Sequence, residues 1–176
     1  MKKISKPSYN EYALYYEQYI ELIDSNISVL DQLKKNAQSN NNLFKSLSNE
    51  VLTSPYSEGK WSIKDIIMHL IDTERVFVYR AMRFARLDKT PQPFFDENEF
   101  VKNANANKIP LSKLLKEYIT CRNHTLSFFN NLNADQLKAC GIASNFTMSV
   151  RACAWIILGH ELHHIKVINE RYLKMD

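Results

Sequence analysis

Glycine and proline are scarce in this chain, with three and five copies among 176 residues. A fold built from many β-strands needs frequent tight turns, and these two residues supply most of them. Apolar residues make up 45% of the sequence and charged residues 24%, a balance that is typical of a folded core and excludes a disordered chain. The length is close to that of one average domain. The composition therefore predicts a single all-α domain over residues 1–176.

Four long segments carry apolar residues every three or four positions, which is the spacing of an amphipathic helix. In the second segment Ser62 is a suitable N-cap and Asp65 follows three residues later, as in a capping box. Residues 36–42 are polar, so we expect a break there, followed by a short amphipathic piece over 43–52. No segment has a credible strand pattern, and a long connection over 88–108 separates the second and third helices. A four-helix bundle is therefore expected, with helices over 9–35, 62–86, 110–131 and, from 147 or 149, to 174.

Charge and cysteine content exclude several classes of function. The net charge is +4 and the basic residues are scattered, so no nucleic-acid partner is expected. No apolar run approaches the roughly 20 residues of a membrane span, and the N-terminus lacks the apolar region of a signal peptide. The three cysteines form no CxxC pair, which favours free thiols in a reducing compartment. We therefore expect a soluble, cytoplasmic protein without a membrane partner.

Three histidines are spaced as metal ligands. His160 and His164 are four residues apart on the fourth helix and share one face, which suits two imidazoles that bind one ion. On a helical wheel both flank the apolar stripe, whereas His163 points the other way, toward water. His69 flanks the apolar stripe of the second helix. Because facing flanks of two helices are where bundle sites form, His69, His160 and His164 are the candidate metal ligands.

The string from His160 to His164 also matches the H-E-x-x-H pattern of zinc metalloproteases. A metalloprotease needs a third ligand, commonly well downstream, and only twelve residues follow His164. The longer pattern with a glycine and a third histidine is absent, and no strand that could bind a peptide is expected. The protease interpretation is therefore disfavoured.

Two carboxylates, Glu74 and Glu161, fall on the apolar stripes of their helices, where an unpaired charge is costly. Each could hold the second nitrogen of a ligand histidine, the usual arrangement around a metal site. Each could equally pair with a buried arginine such as Arg75 or Arg80. The sequence leaves both interpretations open.

Other residues have a structural and a functional interpretation. The tyrosines at 9, 12, 15, 16 and 19 are typical of a core stripe with solvated hydroxyl groups, but they could line a pocket. The basic residues Arg80, Arg83, Arg86 and Lys89 favour a solvated face. His124 and Cys153 are weaker ligand candidates, since His124 has no second histidine on its helix and a buried free thiol is the usual state of a cysteine like Cys153.

Several motifs together resemble the DinB-like superfamily. They are GKWSIKDIIMHLIDTER at 59–75, TMSVR at 147–151 and GHELHH at 159–164, and DENEF at 96–100 is similar to one branch of that family. The resemblance extends over nearly the whole chain. It implies an up-up-down-down four-helix bundle with a long crossover between helices 2 and 3, often found as a homodimer.

The resemblance also implies a divalent metal, usually zinc or nickel, on the positions that correspond to His69, His160 and His164. Characterised relatives include thiol S-transferases that use bacillithiol and isomerases that use mycothiol. The expected function is therefore activation of a small thiol for transfer to a small electrophile, with Glu74 or Glu161 orienting the ligands and the 88–108 connection as a possible lid. The alternative is a non-enzymatic, metal-stabilised bundle that acts as a binding or stress-response module.

Overall fold

Helices account for most of the computed structural model, which describes residues 2–174. Four of them are long and form the bundle: α2 (Val29–Ser46), α4 (Ile63–Ala85), α6 (Leu111–Asn130) and α8 (Val150–Val167). Across the described residues none of the helices combines the length and apolarity that a membrane crossing requires. The elements are 3₁₀ turns Tyr9–Glu11 and Leu14–Tyr16, α1 Glu17–Ile20, α2 Val29–Ser46, α3 Asn49–Thr53, α4 Ile63–Ala85, α5 Glu97–Ala104, a 3₁₀ turn Ala106–Lys108, α6 Leu111–Asn130, α7 Ala134–Lys138, β1 Cys140–Ala143, β2 Phe146–Ser149, α8 Val150–Val167 and a π-helical turn Ile168–Tyr172.

Three of the four predicted helices are confirmed within a few residues, because local capping signals define their ends. The predicted box at the start of α4 is present: the Asp65 amide donates to the Ser62 hydroxyl, and the Asp65 carboxylate accepts from the Ser62 amide at 3.0 Å. Ser149 caps α8 by accepting from the Ala152 amide at 3.0 Å. Pro110 lies directly before the first residue of α6.

The first predicted helix, over 9–35, is wrong in its boundaries. The N-terminal segment consists of short turns and α1, and the long helix α2 starts after Ser28, whose hydroxyl accepts from the Asp31 amide. The polar stretch over 36–42 does not interrupt α2. Asn36 and Asn40 lie inside the bundle and hydrogen-bond other helices there, so these polar residues belong to the buried face.

The expectation that the chain has no strand is also wrong, since β1 and β2 pair as an antiparallel hairpin. Ser144 and Asn145 form its turn, both with positive φ (52° and 69°), as a two-residue hairpin turn requires. The long connection between α4 and α6 contacts this hairpin at Gln92, whose backbone amide donates to the Ile142 carbonyl at 2.8 Å. Four-residue strands and a turn without glycine gave no strand signal in the sequence.

The long crossover joins two parallel helices. Near the start of both, the Lys64 ammonium group donates to the carbonyl of Asn107, just before α6, at 2.9 Å. Farther along, the Cys121 thiol of α6 contacts the Ile71 carbonyl of α4 at 3.8 Å. Helices α4 and α6 therefore run in the same direction, and residues 86–110 return along the bundle between them. The expected four-helix bundle with a crossover between its second and third helices is confirmed.

The first and the last of the long helices, α2 and α8, run in the opposite direction to α4 and α6. Trp61, just before α4, accepts a hydrogen bond from Tyr172, just after α8, so α8 is antiparallel to α4. Helix α2 is antiparallel to α6, because Leu33 accepts from Arg122, whereas Asn40, farther along α2, donates to Tyr118, one turn earlier on α6. The bundle thus has two helices in each direction, as the up-up-down-down expectation requires, but in chain order the directions are up-down-down-up. Helices α2 and α4 each pack against both α6 and α8. The connections 47–62 and 131–149 therefore join antiparallel helices that lie diagonally across the bundle.

A buried ion-pair network connects all four long helices. Arg122 of α6 is 1% exposed, and its Nε donates to Glu74 Oε1 of α4 at 3.0 Å. Its Nη2 donates to Glu161 Oε1 of α8 at 2.6 Å, and its Nη1 donates to the Leu33 carbonyl of α2 at 2.7 Å. One guanidinium group therefore fixes the relative position of the four helices.

Neutral groups complete the network around Glu161. The Tyr118 hydroxyl donates to Glu161 Oε1, and the Asn36 amide donates to Oε2 at 3.0 Å. Asn40 in turn donates to the Tyr118 hydroxyl at 3.3 Å. Burial, together with the nearby Glu161 charge, raises the pKa of Tyr118 well above its usual value, so the hydroxyl keeps its proton and remains a donor. These bonds offset the large cost of burying charged groups.

Glu74 and Glu161 pair with a buried arginine, which was one of their two interpretations. The arginine is neither Arg75 nor Arg80. Arg75 follows Glu74 directly and so lies about 100° around the helix, where it is 51% exposed and pairs with Glu117. The actual partner, Arg122, comes from across the bundle. Within residues 2–174 neither carboxylate hydrogen-bonds a histidine.

Replacing Arg122 should destabilise the bundle strongly. An Arg122→Met substitution leaves two buried carboxylates without a counter-charge, and we expect the free energy of unfolding to fall by about 3–5 kcal/mol. The matched control is Arg75→Met, which removes a half-exposed ion pair and should cost about 0–1 kcal/mol. Urea denaturation followed by circular dichroism measures both. An Arg122→Met protein within 1 kcal/mol of the parent, a margin of about one surface ion pair, would contradict a structural role for the network.

Candidate metal centre

Three histidine side chains converge between α4 and α8. His160 Nε2 lies 3.0 Å from His69 Nε2 and 3.1 Å from His164 Nε2, and one ring nitrogen of each lies within 4.8 Å of the others. Nitrogen ligands of a tetrahedral ion at the usual zinc–nitrogen distance are about 3.3 Å apart. The structure therefore brings the three residues singled out in the sequence together at a spacing that suits one ion.

Burial keeps these imidazoles neutral, which is the form that binds a metal. It lowers the pKa of His69 to about 4. Burial, reinforced by the neighbouring histidines, lowers the pKa of His164 to about 3 and that of His160 well below its ordinary value. At neutral pH all three nitrogens can donate a lone pair without first losing a proton. The donor set therefore fits a divalent cation.

His163 does not join this cluster, as the helical wheel predicted, but it does not point simply into solvent either. Its ring is half-buried and packs edge-on against Tyr19 and His164, with centroids 5.4 and 5.1 Å apart. Burial lowers its pKa. The expectation that His163 faces water is therefore corrected, because the N-terminal segment covers this part of α8.

A glycine allows that coverage. Gly159 lies directly before His160, and a Cβ atom at this position would be 2.1 Å from the Tyr19 carbonyl oxygen. The backbone of the N-terminal segment can therefore approach α8 closely. This approach places the Tyr19 ring edge-on against His160, with centroids 5.4 Å apart. Trp61 also covers the histidines, with its ring centroid 4.7 Å from that of His69.

The histidines open into a cavity of about 510 Å³. Three of the N-terminal tyrosines do line a pocket, which was one of their two interpretations. The predicted long connection contributes Phe94, Phe95 and Glu97, and it contains helix α5, so it forms part of the cavity wall. The full lining is Tyr15, Tyr16, Tyr19, Trp61, His69, Thr73, Phe77, Arg80, Phe94, Phe95, Glu97, Ser144, Ile156, His160, His163 and His164.

The expectation that the basic run over 80–89 is a solvated face is wrong for Arg80, which is buried and lines the cavity. The weaker ligand candidates lie elsewhere. His124 is exposed on α6, and Cys153 is fully buried, where burial raises the pKa of its thiol to about 12. Neither belongs to the histidine cluster.

The network residues Arg122, Tyr118, Asn36 and Asn40 were missed in the sequence. A signal for Arg122 was present, because it lies within the three-and-four spacing of apolar residues on α6, as Glu74 and Glu161 do on their helices. A search of the apolar faces of all four helices for oppositely charged residues would have identified Arg122. Nothing comparable distinguishes Asn36 and Asn40 from exposed asparagines.

Comparison with known proteins agrees with this architecture. A chain from Bacillus subtilis, titled "YfiT from Bacillus subtilis is a probable metal-dependent hydrolase with an unusual four-helix bundle topology", superposes with a TM-score of 0.69 at 16% identity. The match covers 97% of this chain and 94% of that chain, and it shows a shared fold.

Two curated relatives carry the name "Putative metal-dependent hydrolase". One, from Oceanobacillus iheyensis, is 26% identical over 122 residues, which is 68% of this chain and 69% of that protein. The other, from Geobacillus thermodenitrificans, is 32% identical over 69 residues, 39% of each chain. The family model of the DinB superfamily matches residues 32–168, which include all three histidines. The protein described here belongs to the DinB superfamily.

Proposed function

We propose that His69, His160 and His164 hold one divalent ion, zinc or nickel, and that the site activates a small thiol for transfer to an electrophile. The observation that carries this proposal is the convergence of three neutral imidazole nitrogens at the wall of an open cavity. A structural zinc site commonly has four protein ligands, whereas catalytic sites have three and leave a position for a substrate. Here three ligands face a cavity that could admit one.

The ion would supply the acidity that such a reaction needs, since a thiol that coordinates a divalent cation is deprotonated at neutral pH. In the overall reaction the thiol loses its proton to solvent and its sulfur forms a bond to the electrophilic carbon. The leaving group departs with the electrons of the broken bond. No separate general base is required.

The chain's own residues hold the ligands and shape the cavity. Glu161 follows His160 directly, so its contact with Arg122 fixes the rotation of α8 at the metal ligands. Glu74 fixes α4 through the same guanidinium. The two carboxylates thus orient the ligands through the helices rather than by touching the imidazoles. The aromatic walls, including Tyr19 and Trp61, exclude water from one side of the site.

Hydrolysis is the second candidate, and the names of the relatives favour it. In the H-E-x-x-H metalloproteases the glutamate is the general base. Here Glu161 is 1% exposed and accepts hydrogen bonds from Arg122 and Tyr118, so it is not available to a water molecule in the cavity. This arrangement argues against a protease and leaves a thiol as the better-supported nucleophile.

Two substitutions on adjacent residues test the ligand set. His164→Ala removes one of three ligands, and the metal content should fall to well under half of one ion per chain. His163→Ala is the matched control, because its ring lies outside the cluster, and it should leave the metal content nearly unchanged. Elemental analysis of gel-filtered protein measures both. The reverse order would show that the helix presents the other histidine to the ion.

The response to metal removal distinguishes a catalytic from a structural ion. The bundle has its own apolar core, so apo protein should stay helical after chelation, with modest loss of stability. When cobalt replaces the native ion, an added thiol should give a sulfur-to-metal charge-transfer band. Unfolding on chelation, together with no band, would instead support the non-enzymatic binding module. Release of product from ester or amide substrates without a thiol would support hydrolysis.

We also propose that the protein forms a homodimer, as the family resemblance implies. Several aromatic and aliphatic side chains are exposed, among them Tyr9, Leu14 and Phe94, and association would cover part of this surface. Light scattering at micromolar concentration should then give twice the 20.6 kDa of one chain. A mass near 20.6 kDa would show that the protein is monomeric under these conditions.

A further inference from the structure

Arg80 is a buried arginine in the wall of the cavity. Its side chain belongs to α4, and the residue is 2% exposed. Its Nη2 donates to the Pro93 carbonyl at 2.6 Å and to the Ser144 hydroxyl at 3.2 Å. The guanidinium also lies against the Tyr16 hydroxyl and over the Phe77 ring, 5.4 Å from its centroid. All of these partners are neutral.

No carboxylate in residues 2–174 lies within 4 Å of this guanidinium. The contrast is with Arg122, equally buried, which contacts two carboxylates. An arginine side chain carries a permanent positive charge, so Arg80 places at the wall of the cavity a cation that has no ion-pair partner among residues 2–174. Such a charge is costly in an apolar site unless a partner neutralises it. Glu97 lines the same cavity but forms no ion pair with Arg80 among residues 2–174, so the place of a direct counter-charge is open to a bound anion.

The position of Arg80 relative to the histidines indicates how a ligand would lie. His69, Thr73, Phe77 and Arg80 follow one another at spacings of four, four and three, so they share one face of α4 and all four line the cavity. Arg80 lies eleven positions after His69, which corresponds to a rise of about 16 Å along the helix. Between them, the buried Thr73 hydroxyl has no hydrogen-bond partner in the part of the chain that the structure describes. The cavity floor therefore presents a metal ligand, a free hydroxyl and a cation in a row.

We propose that Arg80 binds a carboxylate group of the thiol substrate, whose sulfur reaches the histidine end of the cavity. This inference rests on the proposed function for the position of the sulfur. A singly charged carboxylate balances one arginine, whereas a phosphate group with a charge near −2 usually meets several cations. A ligand that reaches both ends is extended, of about dipeptide or tripeptide length. The Thr73 hydroxyl lies where it would hydrogen-bond the middle of such a ligand.

The test uses a tripeptide thiol of known charge. Cobalt-substituted protein is titrated with γ-glutamyl-cysteinyl-glycine and with its diethyl ester, and the charge-transfer band gives each dissociation constant. The parent protein should bind the acid about tenfold or more tightly than the ester, because one charged hydrogen-bonded contact is worth at least that factor. Arg80→Met should reduce this preference to less than about threefold. Arg80→Lys, which keeps the charge, should retain part of the preference.

The control for net charge is Arg75→Met, which removes the same charge from the same helix outside the cavity and should leave the preference unchanged. Metal content and circular dichroism of Arg80→Met must match those of the parent. If the preference for the acid is the same in Arg80→Met as in the parent, Arg80 does not bind the carboxylate and the inference is wrong.

A thiol-free probe separates this inference from the proposed function. Calorimetry with the S-methyl derivative of the same tripeptide and with its diester measures binding without a thiolate. If no charge-transfer band forms but the S-methyl acid still binds more tightly than its ester in an Arg80-dependent manner, the carboxylate site stands and thiol activation fails. If the band forms with equal affinity for acid and ester in the parent, thiol activation stands and the carboxylate site fails.

Discussion

The contact of Arg122 with Glu74 and Glu161 is the interaction on which the bundle and its site both depend. Each charge is almost fully buried, so none of the three groups can be left without the others. The helices must therefore pack in the one arrangement that brings them together. Since Glu161 follows His160 directly, the same arrangement sets the direction in which α8 presents its histidines toward α4.

The site combines this rigid support with low polarity. His69 lies on α4 and the other two candidate ligands lie one turn apart on the antiparallel α8, so their mutual distances depend on helix packing rather than on a loop. Burial holds all three imidazoles in the neutral form. A site of this kind is ready to bind a cation before the cation arrives, and its ligands need little rearrangement.

The spacing of apolar residues predicted the features that depend on a single helix, which are its extent and its buried face. It did not predict contacts between residues of different helices. Helices α4, α6 and α8 follow from apolar spacing and their caps, and the inward phase of His160 and His164 follows from the same spacing. The asparagines of α2 resembled a loop because their partners, Tyr118 and Glu161, lie far away in sequence. Arg122 was missed for the same reason, since its charge has meaning only once the helices are packed.

Helix α4 has two polar faces with opposite requirements. Toward the other helices it presents Glu74, whose charge is neutralised inside the protein by Arg122. Toward the cavity it presents Arg80, whose partners within the described chain are all neutral. The first face has its counter-charge before any ligand binds, and it fixes the rotation of the helix. That fixed rotation holds both His69 and Arg80 in the wall of one cavity. The stability of the bundle and the charge selectivity that we propose for the cavity therefore depend on the same ion pair.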